Sequence, residues 1–313
     1  MSDLHVVFGA GGGAGSAVVR ALLAEGKTVR AVTRSGLDAP PEGVEDVRAD
    51  ATEAEAARQA CAGAAVVYHC VNTPYATWPD TLPAIMQNLI RGAGDAGARL
   101  VYCDNLYMYG PGSGTMSERT PLAAEGPKGR IRIRLAETLF EAHEAGRVRA
   151  TSGRGSDFFG PGATNTIAGF LVFPAVLEGK KARGIGALDA PHTLSFIDDF
   201  GRGLVRLGRE ERALGEVWHI PAGPPLTGRE FIERVFDVAG EPARIGVHGR
   251  WAIRLAGLFD SQMRELLEVL YQFEEPFVMD ASKYEDAFGP TELTPLDEAI
   301  SRSLEWHAAH PDG

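Results

Sequence analysis

The chain is short of cysteine, of long apolar runs and of positive charge, and each shortage closes off a class of function. Only three cysteines, Cys61, Cys70 and Cys103, stand among 313 residues. None sits at the paired spacing of a metal site, and their odd number in apolar surroundings predicts reduced, buried thiols, with neither disulfide nor zinc. No stretch approaches the roughly 20 apolar residues that span a bilayer. Met1 to His5 runs straight into a strand pattern without the charge and cleavage pattern of a signal peptide, which predicts a cytoplasmic protein with no membrane partner. Lys and Arg number 31 against 42 Asp and Glu, a formal net charge of -11. Phosphate neutralisation needs clustered cations, so nucleic acid is excluded as the main partner. The one dense basic run, Lys128 to Arg134, falls inside a helical pattern and reads as a solvated face. Internal repeats and low-complexity tracts are missing too.

What is present is an alternation. With 44% hydrophobic residues the chain can bury one large core or two smaller ones. Its first half switches between short β-rich runs and longer helical ones, the pattern of βαβ units that build a parallel sheet. Strands are predicted at Leu4 to Phe8, Thr28 to Val32, Val44 to Val47, Ala65 to Cys70, Arg99 to Cys103 and Arg147 to Ser152. Helices are predicted over Ser16 to Ala24, Thr52 to Ala60, Asp80 to Ala96 and Arg130 to Ala145, the second opening on a Thr52/Glu55 capping box. This is an α/β chain, a Rossmann doubly wound parallel sheet over residues 1–155 with a return near 190–220. Residues 156–313 read as a smaller, interleaved C-terminal substrate lobe, its Gly160-Pro161-Gly162 turn and Pro221 to Pro225 segment marking crossings between lobes that share a cleft. Trp218 and His219 suit a half-buried strand, and the run from Glu265 to Tyr271 with Phe273 and Phe277 reads as lobe core or an association face.

The segment Gly9-Ala10-Gly11-Gly12-Gly13-Ala14-Gly15 lies between the first strand and the first helix. In that context Gly9 permits the tight turn, Gly12 lets backbone approach a pyrophosphate, and Gly15 lets the helix pack on the strand while its N-terminal N–H groups, Gly13 included, face the anion. The exit of the fourth strand, Cys70 and Val71, is expected beside the same cofactor. Dinucleotide binders that take NAD hold the ribose with a carboxylate about 20 residues past the glycines. Here Thr33-Arg34-Ser35 occupies that place, and a guanidinium beside a hydroxyl suits a 2′-phosphate, so NADP is expected with NAD as the alternative. Arg34 could equally be an exposed loop residue, and Asp50 either an acceptor for the adenine amino group or an ordinary anion at a helix start.

These residues resemble the extended short-chain dehydrogenase/reductase family, also called the NAD-dependent epimerase/dehydratase group. The resemblance covers nearly the whole chain: the Gly9/Gly12/Gly15 spacing, Tyr68-His69-Cys70, Leu106-Tyr107-Met108-Tyr109-Gly110-Pro111, Arg154 with Asp157-Phe158-Phe159-Gly160-Pro161-Gly162, and Phe196-Ile197-Asp198-Asp199. It implies catalysis by a Tyr, a Lys four residues later, and a Ser or Thr at the exit of the fifth strand. The sequence departs from that pattern. No tyrosine lies between Tyr109 and Tyr271, and Asn105 holds the Ser position. The helix entry instead reads Gly126-Pro127-Lys128-Gly129-Arg130-Ile131-Arg132, with Lys128 and Arg132 spaced to share a face and hold a ribose or a substrate anion. Arg cannot donate a proton at neutral pH, so Tyr107, Tyr109, Asp157 and His192 are the remaining candidates, His192 for its ordinary titration range. Each has a plain alternative: packing aromatics for the two tyrosines, a turn anion for Asp157, a structural or solvated side chain for His192.

The resemblance implies an enzyme acting on a carbonyl or hydroxyl of a small molecule such as a nucleotide sugar or ketide, with NADP(H) the cofactor expected from Arg34, and with a possible homodimer, since relatives often pair. The missing tyrosine leaves a second reading open: a protein that binds NADP(H) without turnover, as a redox sensor or partner-binding module.

Overall fold

A computed structural model describes residues 3–258 and 261–311. In chain order its elements begin β1 (Leu4–Phe8), α1 (Gly13–Ala24), β2 (Thr28–Thr33), β3 (Val44–Arg48), α2 (Ala54–Cys61), β4 (Val66–His69), α3 (Trp78–Asp95) and β5 (Arg99–Asp104). They continue with β6 (Thr115–Met116), α4 (Pro127–Glu144), β7 (Arg149–Arg154), β8 (Asp157–Phe159), α5 (Phe173–Leu177), β9 (Ala182–Ile185), β10 (Pro191–His192), β11 (Leu194–Phe196) and α6 (Ile197–Arg209). The last are β12 (Val217–His219), β13 (Leu226–Thr227), α7 (Gly228–Ala239), β14 (Ile245–His248), α8 (Arg250–Ala256), α9 (Ser261–Val269), β15 (Val278–Met279), α10 (Ser282–Phe288) and α11 (Leu296–Ala309). No described helix is long and apolar enough to cross a membrane.

The chain divides into two compact units, the first taking in residues up to 105 with 130–154 and 200–220. Its centre is a seven-stranded sheet in the order β12-β7-β5-β4-β1-β2-β3, every pairing parallel. Strand order reverses between β1 and β4, the switch point where doubly wound sheets receive ligands at their carboxyl ends. Apolar runs explain the middle of this sheet: Val6, Val7 and Phe8 of β1 are buried, as are Val66, Val67 and Tyr68 of β4, as expected of parallel strands covered on both faces. Helix α1 lays Val18, Val19 and Leu22 into the same core. Gly201 of α6 packs on α1 so closely that a Cβ there would stand 2.7 Å from the Ala17 carbonyl carbon.

The sequence reading of α2 needs one correction. Thr52 does not cap it: its hydroxyl and N–H both donate to Asp50 Oδ1, at 2.7 and 2.9 Å. Glu55 meanwhile turns to Arg58 and Gln59, and the N-cap is Glu53 without a side-chain bond. A carboxylate two residues back competes better for Thr52 than the helix start does.

The second unit takes in residues 106–129, 155–199 and 221–313. Four two-stranded pairings, β10-β13, β11-β8, β14-β9 and β15-β6, frame its helices. The main core joins Phe159, Phe173, Phe196, Phe231, Phe236 and Ile300. A true capping box, Thr227 with Glu230, starts α7, and Gly240 in the left-handed region ends it. The run from Glu265 packs as core through Leu266, Leu267, Leu270 and Phe273 around Ile185 and Ile253.

Replacing Gly201 with Val is expected to cost about 1–3 kcal/mol, as overpacking of a tight helix contact does. Urea unfolding of both proteins measures it; an unchanged midpoint would show that α6 does not press on α1.

Candidate functional site

In the first unit the glycine segment forms a loop whose only side chains are the methyl groups of Ala10 and Ala14. Gly9 has φ +80°, a conformation that side-chain-bearing residues rarely hold, and a Cβ on it would come within 2.6 Å of the Cys70 carbonyl oxygen and 2.8 Å of the Val71 nitrogen. On Gly15 a Cβ would collide with the Gly9 carbonyl oxygen. The loop is knitted to its surroundings by Gly9 N–H donating to Val32 O and Gly12 N–H to Gly9 O, both at 3.0 Å. Gly12 caps α1 with no side-chain bond. The first N–H groups of the helix, beginning at Gly13, are therefore unmet by any capping side chain, which is the arrangement that accepts an anion.

At the exit of β2, Arg34 and Ser35 are exposed and Gly36 turns the chain with φ +86°. A second guanidinium lies there. Arg48 Nε stands 2.7 Å from where a Gly36 Cβ would be, a neighbour that sequence reading missed because it comes from β3, across the pairing of Thr33 with Arg48. Asp50 is committed to Thr52, whose bonds, helped by the Arg34 charge, hold its carboxyl below the usual carboxylate range.

At the carboxyl ends of β4, β5 and β7 a charged cluster is buried. Arg132 Nη1 donates to the Tyr102 hydroxyl at 2.7 Å and lies 3.5 Å from Asp104 Oδ1, while its guanidinium covers the Trp78 ring at 4.4 Å. Arg154 Nε donates to the other oxygen of Asp104 at 3.3 Å. Two cations thus share one carboxylate, and Asp104, Arg132 and Arg154 are all nearly inaccessible. Burial pushes the Tyr102 phenol up, although Arg132 pulls the other way. Neither Tyr102, Asp104 nor Arg154 was singled out for this cluster from sequence; charged residues at the carboxyl ends of two buried strands were the available signal. His69 stands beside Tyr102, ring centroids 5.1 Å apart. Its Nδ1 accepts from Val71 N–H at 3.3 Å, which puts the proton of the neutral ring on Nε2. Burial, reinforced by Arg132, pushes its pKa down to about 3. Cys61 is buried, but Cys70 and Cys103 are partly exposed, a correction to the expectation of three buried thiols. Asn105 follows β5 directly and is half-buried.

In the second unit His192 and Asp157 come together. Nε2 of the ring lies 2.8 Å from Asp157 Oδ2, and neither atom has another partner among the described residues. Nδ1 bonds the Gln272 carbonyl at 2.9 Å, and the ring stacks on Phe273 with Phe277 alongside. So His192 is a buried, structurally held side chain rather than a solvated one, and Asp157 is not an anion of its own turn alone. Tyr109 is fully buried with its carbonyl accepting from Ser113, whereas Tyr107 is half-buried. Lys128 and Arg132 do not form a common anion seat as their spacing predicted. Lys128 is instead engaged in the second unit, donating to Glu265 Oε2 at 2.5 Å, Glu268 Oε2 at 3.0 Å and the Glu265 carbonyl. Both are buried, so the basic run is a solvated face only at Arg130 and Arg134, which are exposed. Trp218 and His219 are likewise buried rather than half-buried.

The model of the NAD-dependent epimerase/dehydratase family matches residues 5–220. The chain belongs to that family. Among curated proteins the chain is similar to the uncharacterised protein y4nL of Sinorhizobium fredii, 26% identical over 93% of this chain and 86% of that one. Among solved structures it is similar to DesIV, the dTDP-glucose 4,6-dehydratase of Streptomyces venezuelae with NAD and TYD bound. That match has a TM-score of 0.79 at 20% identity and covers 98% and 97% of the two chains. It is also similar to the UDP-glucuronic acid 4-epimerase of Bacillus cereus in complex with UDP-glucuronic acid and NAD, with a TM-score of 0.79 at 17% identity and 98% and 99% coverage. At such identities the structural likeness speaks for the fold of the family.

His69 makes acid stability diagnostic of this end of the sheet. The unfolded chain takes up a proton at the ordinary 6.5, the folded ring only near 3. Stability due to the neutral ring is therefore complete above the upper value and is lost as pH falls below it, by up to about 1.4 kcal/mol per pH unit. His69→Gln is expected to lose stability less steeply than the parent between those two values in denaturant titrations at stepped pH; parallel curves would mean that His69 is protonated in the folded protein.

Proposed function

We propose that the chain binds a nicotinamide dinucleotide, NADP(H) in preference to NAD(H), and acts on a hydroxyl or carbonyl carbon of a small molecule such as a nucleotide sugar. The observation that carries this is the glycine loop. Its close approach to the exit of β4, where a Gly9 Cβ would be 2.6 Å from Cys70 O, and an α1 start without side-chain cap fit a bound diphosphate. Solved relatives supply the analogy: DesIV holds NAD with TYD, and the Bacillus cereus epimerase NAD with UDP-glucuronic acid.

On this reading Gly9, Gly12, Gly13 and Gly15 meet the diphosphate through backbone, and Cys70 and Val71 form the adjoining wall. Arg34, supported by Arg48 across Gly36, meets a 2′-phosphate, whose doubly charged oxygens suit guanidinium forks. Asp50 serves its own turn first and offers only its second oxygen outward. When bound, the nicotinamide supplies the hydride acceptor or donor. Arg132 is held rigid by Tyr102, Asp104 and Trp78, which fits a fixed cation beside the ribose. Asn105 orients the substrate oxygen, with Tyr107 and Tyr109 shaping the chain that follows.

Proton transfer falls to His192 and Asp157. A carbonyl only accepts, so the Gln272 bond keeps a proton on Nδ1 and leaves Nε2 as the exchanging nitrogen. The Asp157 side chain, 27% exposed against 7% for the ring, is the outer member through which a proton passes. Positioned acid–base groups of this kind contribute about 10²–10⁴-fold.

Two measurements test the proposal. Arg34→Ala is expected to weaken NADPH at least about tenfold, roughly 1.4 kcal/mol, with NADH nearly unaffected; equal losses in calorimetry would reject the role of Arg34. His192→Gln is expected to lower turnover at least about 100-fold while leaving NADPH affinity intact, followed by nicotinamide absorbance over a panel of nucleotide sugars, aldehydes and ketones. Tight NADPH binding by the parent with no turnover of any of them would favour instead the sensor that the missing helix tyrosine allows.

A further inference from the structure

The exits of β4 and β5 bring two thiols together. Register pairs His69 with Tyr102, so the next residues, Cys70 and Cys103, are lateral neighbours on parallel strands. Such neighbours point to the same face, with backbones about 4.8 Å apart. That lies within the roughly 4.4–6.8 Å between Cα atoms that a disulfide spans. Both residues are partly exposed, and their side chains share a hydrogen bond. The third thiol, Cys61, is buried elsewhere, on α2, and burial pushes it up to about 12.

We infer that Cys70 and Cys103 form a reversible thiol–disulfide pair, closed by a hydroperoxide, that sets the affinity of the glycine loop for its dinucleotide. This rests on the functional reading above for its consequence, but not for its chemistry. The shared bond and burial push the Cys70 thiol up, which makes Cys70 the donor and leaves the Cys103 sulfur as the one that attacks first. Cys103 Sγ takes the terminal oxygen of hydrogen peroxide, giving a sulfenic acid and one water. Cys70 Sγ then attacks the Cys103 sulfur, its proton leaving with the hydroxyl as a second water. Two thiols and one peroxide become one disulfide and two waters. A dithiol reductant reverses the step by exchange.

Closure matters because of what Cys70 touches. Its carbonyl oxygen and the Val71 nitrogen are the atoms against which Gly9 is fitted, with no room for even a methyl group. Joining the sulfurs at about 2.05 Å favours a Cα separation of about 5.5–6 Å, wider than the roughly 4.8 Å of neighbouring strands, so closure presses the two strand exits apart. Gly9 is fixed on its other side by Val32 O, so the loop cannot follow freely and its diphosphate seat deforms.

The test treats the full chain with hydrogen peroxide and reads two quantities. Intact mass and peptide mapping are expected to show loss of two hydrogens and a Cys70–Cys103 linkage within one chain, restored by dithiothreitol. NADPH affinity of the oxidised protein is expected to fall at least about tenfold and to recover on reduction, unchanged in Cys61→Ser but abolished as an effect in Cys103→Ser. A linkage between chains, or sulfinic acid at Cys103 without any linkage, overturns the pair. Linkage with undiminished affinity overturns the control of the loop. If the reduced parent binds neither nucleotide, the functional reading fails, while the mass measurement still decides whether the pair closes.

Discussion

The first turn of α1 can lie against the end of β1 only because residues 9 and 15 have no side chains. Gly15 sits where any Cβ would strike the Gly9 carbonyl, and Gly9 in turn sits where any Cβ would strike the exit of β4. That double contact fixes helix, strand and neighbouring strand in one relation. The loop offers backbone N–H groups and shape but no polar side chain. On the proposed reading, specificity comes from the rim, from the exit of β2 with Arg34 and from Arg48 of β3.

Much of the fold was legible because it is written locally. Val18, Val19 and Leu22 recur at helical spacing, and Leu4 to Phe8 reads as a continuous apolar run, so α1 and β1 could be placed from the chain alone. The glycine segment was legible for the same reason, since the turn, the approach and the packing are all determined within seven residues. Thr52 was misread because two local partners competed for it, and the spacing to Glu55 could not say that Asp50 would win.

The charged groups were harder. Lys128 and Arg132 stand one turn apart on α4, yet Lys128 is taken by Glu265 and Glu268, and Arg132 by Tyr102, Asp104 and the Trp78 ring. Helical spacing reports which face a residue shares; partners arriving from about 30 to 140 positions away decide what it does. His192 shows the converse. As a sequence element it was a lone imidazole after a proline, and only the pairing of β11 with β8 explains why Asp157 is beside it. Buried polar groups must be satisfied, so once the strands are arranged such partnerships are nearly forced, but strand arrangement is what a single sequence states least directly.

Two guanidinium groups are held in the interior against one carboxylate, Asp104. Guanidinium groups do not titrate in proteins, so both cations persist across the physiological range. The fastening of Arg132 and Arg154 to the end of β5 therefore does not lose its cations with a change of buffer.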